Sequence, residues 1–357
     1  MKRLLIINPF GIGDVLFTTP VVRALKSAYP DSVIGYWCNE RVEGILRNNT
    51  YIDKAFALSR GDLKRIYNQS RLKGIYKFFS ILHRIKKEGF NIALDFSLDH
   101  RYSLISKLLG IRRRIGFNYK KRGLFLTDKI DLESYNTKHV VEYYLDLLRF
   151  LNINPVSGDL DLFVPEKDRI KARGILSRYG ISEKDLIIGI APGAGASWGR
   201  DAIYKHWSAL KFAQLANRII DDFKARILIL GDESERPIAD IIVNAVKNKV
   251  VDLVGKTTLG EFAAIIGHLR ILITNDGGPL HMAVASGVQT VSVFGPVDEG
   301  IYGPYPADKR HIVIKKDLSC RPCYKNFRFY GCVNNRTCIK DITVDEVFRA
   351  TQNLMQN

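Results

Sequence analysis

The sequence predicts an α/β protein built from two doubly wound parallel-sheet domains. Three observations carry that expectation. Short runs rich in β-branched residues alternate with helical patterns along the chain, which is the signature of parallel strands covered by helices. The alternation starts twice, each time with a glycine turn after the first strand. The length, 357 residues, exceeds that of one ordinary domain.

In the first half, strands are expected at residues 3–7, 33–37, 54–58 and 92–95, and helices at 15–28, 41–48, 71–88 and 137–151. The first strand ends at Asn8 and Pro9, and the turn Phe10-Gly11-Ile12-Gly13-Asp14 leads into the first helix. In a parallel sheet such a turn opens on the carboxyl edge, where ligands bind. Asp14 is therefore either a reactive carboxylate beside a ligand or a cap of the helix, since Asp is favoured there. Residues 152–165 hold Pro155, Pro165, Gly158 and alternating acids, which marks a domain boundary. The domains expected are 1–160 and 161–340, with a short terminal segment, 341–357.

The second half repeats the pattern, with strands expected at 186–191, 226–230, 250–254, 271–274 and 290–294. Its central stretch reads ILIT, NDGGPLHMAVASG, VQTVSVFGP: strand, glycine turn, a helix of about three turns, strand. Pro279 suits the first helical position and Gly287 the stop. Asp276, Gly277 and Gly278 sit where the strand ends. Glycines there let a ligand approach the backbone, and unsatisfied first-turn amides can hold a diphosphate. The plain alternative is a crossover whose Asp-Gly-Gly is only a turn.

Composition narrows the function. Hydrophobic content of 46% with 25% charged residues belongs to a globular chain rather than a disordered one. No apolar run approaches the length that spans a bilayer. The basic start resembles a signal peptide, but Pro9 and Asp14 interrupt a short apolar segment, so a first strand and a cytoplasmic protein are expected. The formal charge is +17, and residues 60–122 hold 17 Lys and Arg against four acids. An anionic partner follows: nucleic acid, a membrane surface or a phosphorylated substrate. Within 72–88, Ile75, Phe78, Phe79, Leu82 and Ile85 recur at helical spacing among Lys73, Lys77, Arg84, Lys86 and Lys87. This helix lies either on an anionic membrane or with its stripe in the core and its charges in water. No groove-reading or aromatic-platform motif accompanies it, so no nucleic-acid partner is expected.

Two successive α/β halves with glycine turns suggest a sugar-nucleotide transferase. The segments GIGDVLFTTPVVRALK, APGAGASW, KHW at Lys205-His206-Trp207, Leu230-Gly231, NDGGPLHMAVASG and VFGP occur in order over nearly the whole chain. Together they resemble the ADP-heptose:lipopolysaccharide heptosyltransferases, glycosyltransferase family nine. The resemblance implies the GT-B fold, two Rossmann-like domains facing across a cleft, the first for the acceptor and the second for the nucleotide sugar, with the last helix packing back on the first domain. It implies Asp14 as general base in the turn of Gly11 and Gly13, and Ser197, Lys205, Asp276, Gly277, Gly278, Leu280 and His281 at the donor. Family members usually carry Thr or Ser where this chain has Gly277, so a backbone amide must replace a hydroxyl. The spacing from Ser197 to Lys205 is also longer than usual.

The expected reaction is inverting transfer of a heptose from ADP-heptose to the inner core of lipopolysaccharide, on Kdo or heptose, by an enzyme peripheral on the inner face of the inner membrane. Transfer of another sugar, or a binding protein without turnover, are the alternatives. Lysine and helix amides can stabilise the leaving diphosphate, so no cofactor is required. Cys320, Cys323, Cys332 and Cys338, spaced C-x2-C-x8-C-x5-C, fit a structural zinc, free thiols in a packed loop, or disulfides.

Overall fold

Runs of buried aliphatic residues end at glycine, proline and asparagine, and this punctuation sets the strands. The computed structural model describes residues 1–154 and 157–356, without the side chains of Ala196 and Ser197. Pro155, one of the two prolines that suggest the boundary, lies outside the described residues. Two compact units result, Met1–Phe163 and Val164–Asn357.

The first unit contains β1 (Arg3–Ile7), β2 (Val33–Cys38), β3 (Lys54–Ala57), β4 (Ile92–Asp95), β5 (Arg113–Tyr119) and β6 (Asp128–Leu132). They form one sheet in the order β3-β2-β1-β4-β5-β6, parallel throughout. The second unit contains β7 (Ile187–Ala191), β8 (Arg226–Ile229), β9 (Val251–Asp252), β10 (Ile271–Asn275), β11 (Gln289–Val293) and β12 (His311–Ile314). Their order, β12-β11-β10-β7-β8-β9, is the same topology read from the other edge, again all parallel. Each unit is thus a Rossmann sheet, with its switch point between β1 and β4 or between β7 and β10. A two-stranded hairpin, β13 (Tyr324–Lys325) with β14 (Arg328–Phe329), follows.

The strands β5, β6 and β12 are absent from the sequence expectation. Charged residues disguise β5 and β6: Arg113 at the start of β5 forms a two-pronged bond to Asp128 of β6, both contacts 3.0 Å. The pair fixes the register of the edge strand, where open backbone otherwise invites mispairing.

The expected helix at 137–151 is a short helix, Val140–Asp146, followed by a 3-10 turn. The helix after β10 covers Gly278–Ala285, two turns rather than three. In the basic region, Ser59 and Asp62 close a capping box at the start of Arg60–Gln69, and Ser70 caps a second helix, Arg71–Lys87. Only part of the expected stripe is buried: Ile81 and Ile85 enter the core with Leu5, Trp37 and Phe90, while Ile75 and Phe79 are exposed. The last helix, Val344–Gln356, gives Val347, Phe348 and Leu354 to the core of the second unit with Trp207, Phe212 and Ile219. Val347, Phe348, Ala350 and Leu354 form its buried apolar face, beside the helix Ala209–Phe223.

Candidate functional site

The carboxyl ends of β7 and β10 flank the switch point of the second sheet, and the polar residues of that unit converge there. Asn275, the last residue of β10, is wholly buried. Its carboxamide donates to the carbonyls of Pro192 at 2.6 Å and Gly193 at 3.3 Å, and accepts the Trp207 amide at 3.1 Å. One side chain therefore ties the loop after β7 to the segment carrying Lys205. The next residue, Asp276, lies 2.7 Å from the Lys205 ammonium, and both side chains are buried, 6% and 7% exposed. The same ammonium lies 4.7 Å from the centre of the Trp198 ring, whose face attracts a cation. Tyr324 and Phe329 of the hairpin pack on Trp198 at 5.1 and 5.3 Å.

Gly277 precedes the helix Gly278–Ala285 as its cap residue, with no side-chain cap. Its φ of 177° is open to any residue, but a Cβ would stand 3.1 Å from the Ala194 backbone, so a side chain there requires the facing loop to give by a few tenths of an ångström. Leu280 is fully buried, so of its groups only the amide can serve a ligand. His281 is buried in the first turn. The Ser197 side chain lies outside the described residues.

Glu235 completes the crevice and is not legible in the sequence. Its carboxylate accepts the amides of Gly195 at 3.3 Å and Asp232 at 3.1 Å. A Cβ at Gly193 or Gly231 would collide with it. Burial, and then the Asp232 carboxylate, push its pKa up. His206, beside Lys205, is held down to about 4 by burial and by Arg336 and Lys205, so it is neutral at physiological pH.

In the first unit, Asp14 lies in the first turn of Ile12–Phe17, whose cap is Gly11, not Asp14. Gly13 precedes it in the same turn. Asn8, wholly buried, fixes the loop: it donates to the Asp14 carbonyl at 3.0 Å and accepts the Phe10 amide at 3.2 Å. Asn39 donates to the carbonyls of Pro9 and Phe10. The Tyr36 hydroxyl shares a 2.6 Å hydrogen bond with Thr18; burial raises its pKa well above the usual value, and the Cys38 thiol and the Asp14 carboxylate add to the rise. Asp14 thus stands, partly buried, on a loop that Asn8 and Asn39 hold at the carboxyl edge of β1.

The cysteines form no disulfide. Among the described residues no three His, Cys, Asp or Glu are grouped to hold a metal ion, and the zinc alternative finds no shell there. Cys323 donates to the Cys320 carbonyl at 3.2 Å, and Cys332 accepts the Arg336 amide at 3.1 Å. Among the described residues no helix is long and apolar enough to cross a membrane.

Two Rossmann sheets in one chain, with a lysine, a carboxylate and helix amides at the switch point of the second, define a GT-B glycosyltransferase. The profile of glycosyltransferase family 9 (heptosyltransferase) matches residues 78–333, more than half of the chain. Lipooligosaccharide heptosyltransferase 2 of Campylobacter jejuni subsp. jejuni serotype O:6 is 30% identical over 360 residues, 99% of each chain. The crystal structure of the family 9 glycosyl transferase from Veillonella parvula aligns with a TM-score of 0.82 at 24% identity, over 99% of this chain and 97% of that one. The E. coli heptosyltransferase WaaC with ADP aligns at 0.72 and 16%, over 99% and 100%. This chain belongs to glycosyltransferase family 9, the heptosyltransferases.

Proposed function

We propose that the protein transfers a heptose, with inversion, from ADP-heptose to a Kdo or heptose of the lipopolysaccharide inner core. The observation that carries the donor assignment is the buried Lys205–Asp276 pair beneath the uncapped helix at Gly278. A lysine so placed, with helix amides, stabilises the charge that grows on a departing diphosphate. These groups supply the positive charge themselves, so the reaction needs no metal, and chelation leaves its rate unchanged. Glu235, in the 3-10 turn Glu233–Glu235 that follows β8, would accept from ribose hydroxyls, as acids beside Rossmann crevices do.

The bond between the anomeric carbon and the diphosphate oxygen breaks as the acceptor hydroxyl attacks the opposite face. Asp14 takes the hydroxyl proton, and ADP leaves with the bonding pair. The basic residues of 60–122 suit an acceptor that is anionic and lipid-linked, held at the inner face of the inner membrane.

The test is ADP release from ADP-heptose with a deep-core lipopolysaccharide acceptor, comparing the protein with Asp14→Asn, which keeps the shape and removes the base. Release that depends on acceptor and falls about 10²–10⁴-fold in the variant, with ADP binding retained, is expected. Full activity in Asp14→Asn removes that residue from the mechanism. ADP binding without turnover of any heptose donor points to another sugar.

A further inference from the structure

The helix Arg71–Lys87 carries two apolar faces, and its core uses only one. Ile81 and Ile85 are buried. Leu72, Ile75, Tyr76 and Phe79 lie at i, i+3, i+4 and i+7, on one helical face, and are 80%, 48%, 76% and 63% exposed. With Tyr67 at 44%, five of the fifteen exposed large apolar side chains among the described residues fall within thirteen positions. Gly74 allows the Tyr67 backbone to approach, since a Cβ there would stand 3.1 Å from Tyr67 Cα. Tyr67 thus packs on the side of the helix that Gly74 presents, and the strip of Leu72, Ile75, Tyr76 and Phe79 runs along the other side. Scattered apolar residues are ordinary on a surface, whereas such a cluster marks a contact.

The charge around it selects the occupant. Residues 60–87 hold nine Lys and Arg and one acid, Asp62, which is buried in the capping box of its helix. Arg65 and Lys77 reach Glu40 at 2.6 and 3.6 Å; Arg71 and Lys73 flank the apolar face, and Lys86 and Lys87 continue its line in the last turns. An apolar strip bordered by cations matches an anionic bilayer, into whose headgroup boundary such a helix sinks lengthwise. It does not match a second copy of itself, because two such faces repel.

We propose that this face, Leu72, Ile75, Tyr76 and Phe79 within their basic border, is the docking surface by which the protein lies on an anionic lipid bilayer. The proposal takes its setting from the lipid-linked acceptor above, but vesicle binding is read with no sugar present, so the two fail separately.

The full chain is sedimented with vesicles of phosphatidylglycerol and phosphatidylethanolamine, and with neutral phosphatidylcholine vesicles, at low and high salt. Expected is binding to the anionic vesicles that weakens with salt, and a loss of at least about tenfold in Leu72→Ser/Phe79→Ser. Both positions are exposed, so the variant keeps its thermal stability, its ADP affinity and its turnover of a short water-soluble acceptor. Equal binding to neutral vesicles, or unchanged binding by the variant, overturns the proposal. A dimer in solution that the double variant dissociates also overturns it and assigns the face to a second copy. Lost vesicle binding in a protein that turns over no heptose donor leaves the surface standing and removes the proposed function.

Discussion

Asp95 ends β4 at the switch point of the first sheet, pairs in register with Ile7, and is only 5% exposed. Burial raises its pKa to about 7, against the hydrogen bond from the Ser97 amide at 2.9 Å. An unfolded Asp ionises near about 4. Between those values the folded protein holds the extra proton, so this group favours folding at low pH, and its contribution is lost as pH rises through about 7. Asp95→Asn stays neutral, so its melting temperature should exceed the parent's by a margin that grows from pH 5 to pH 8. A margin independent of pH would show that the carboxyl does not titrate in that range. His206 works in the opposite sense: held down to about 4, it supports folding above its unfolded pKa of about 6.5 and withdraws that support as pH falls towards 4. The two residues belong to different units, so acid and base press on different parts of the chain. In the sequence, glycine turns single out Asp14 and Asp276, and the family resemblance alone singles out Lys205. The sequence hides Asn275 and Glu235 because their partners lie far away in the chain; the bonds from Asn275 reach Pro192 and Trp207.

Elements reveal themselves in sequence when their faces differ. The central strands β1, β4, β7 and β10 are mostly buried aliphatics, and the sequence places them within a residue or so. Edge strands such as β6, DKIDL, are only half covered and charged, so period-two reading finds nothing to hold. The helix Arg71–Lys87 misleads in another way: an apolar stripe read as one face divides in the structure between core and solvent. The final helix is legible as an element, though amphipathicity says only that a face is covered and not by what. Phe348 anchors this helix, 2% exposed, stacked on Phe223 at 5.8 Å with the Arg218 guanidinium 3.8 Å above its ring. Phe348→Ala should destabilise the second unit by about 3–5 kcal/mol, read from denaturant unfolding, with hydrogen exchange locating the loss in residues 164–357. A change below about 1 kcal/mol would mean that the helix is dispensable to that core.

At the scale of the molecule, two units with separate cores would divide the proposed chemistry: the residues proposed for the donor fall in 164–357, and Asp14, the proposed base, in 1–163. A ligand that binds one folded unit stabilises that unit, by about 2.7 kcal/mol at a hundredfold excess over its Kd. ADP should therefore raise the unfolding free energy of the second unit by that amount, while amides of the first unit exchange as before. Asp14→Asn should respond as fully as the parent, because its carboxylate acts on the acceptor. Lys205→Met should lose most of the response. It should also be less stable without ligand by about 3–5 kcal/mol, since the charge of Asp276 is left buried without its partner. Hydrogen exchange followed by peptide, with and without ADP, separates these outcomes. Protection confined to the first unit would place the nucleotide beside Asp14 and exchange the roles assigned to the two sheets.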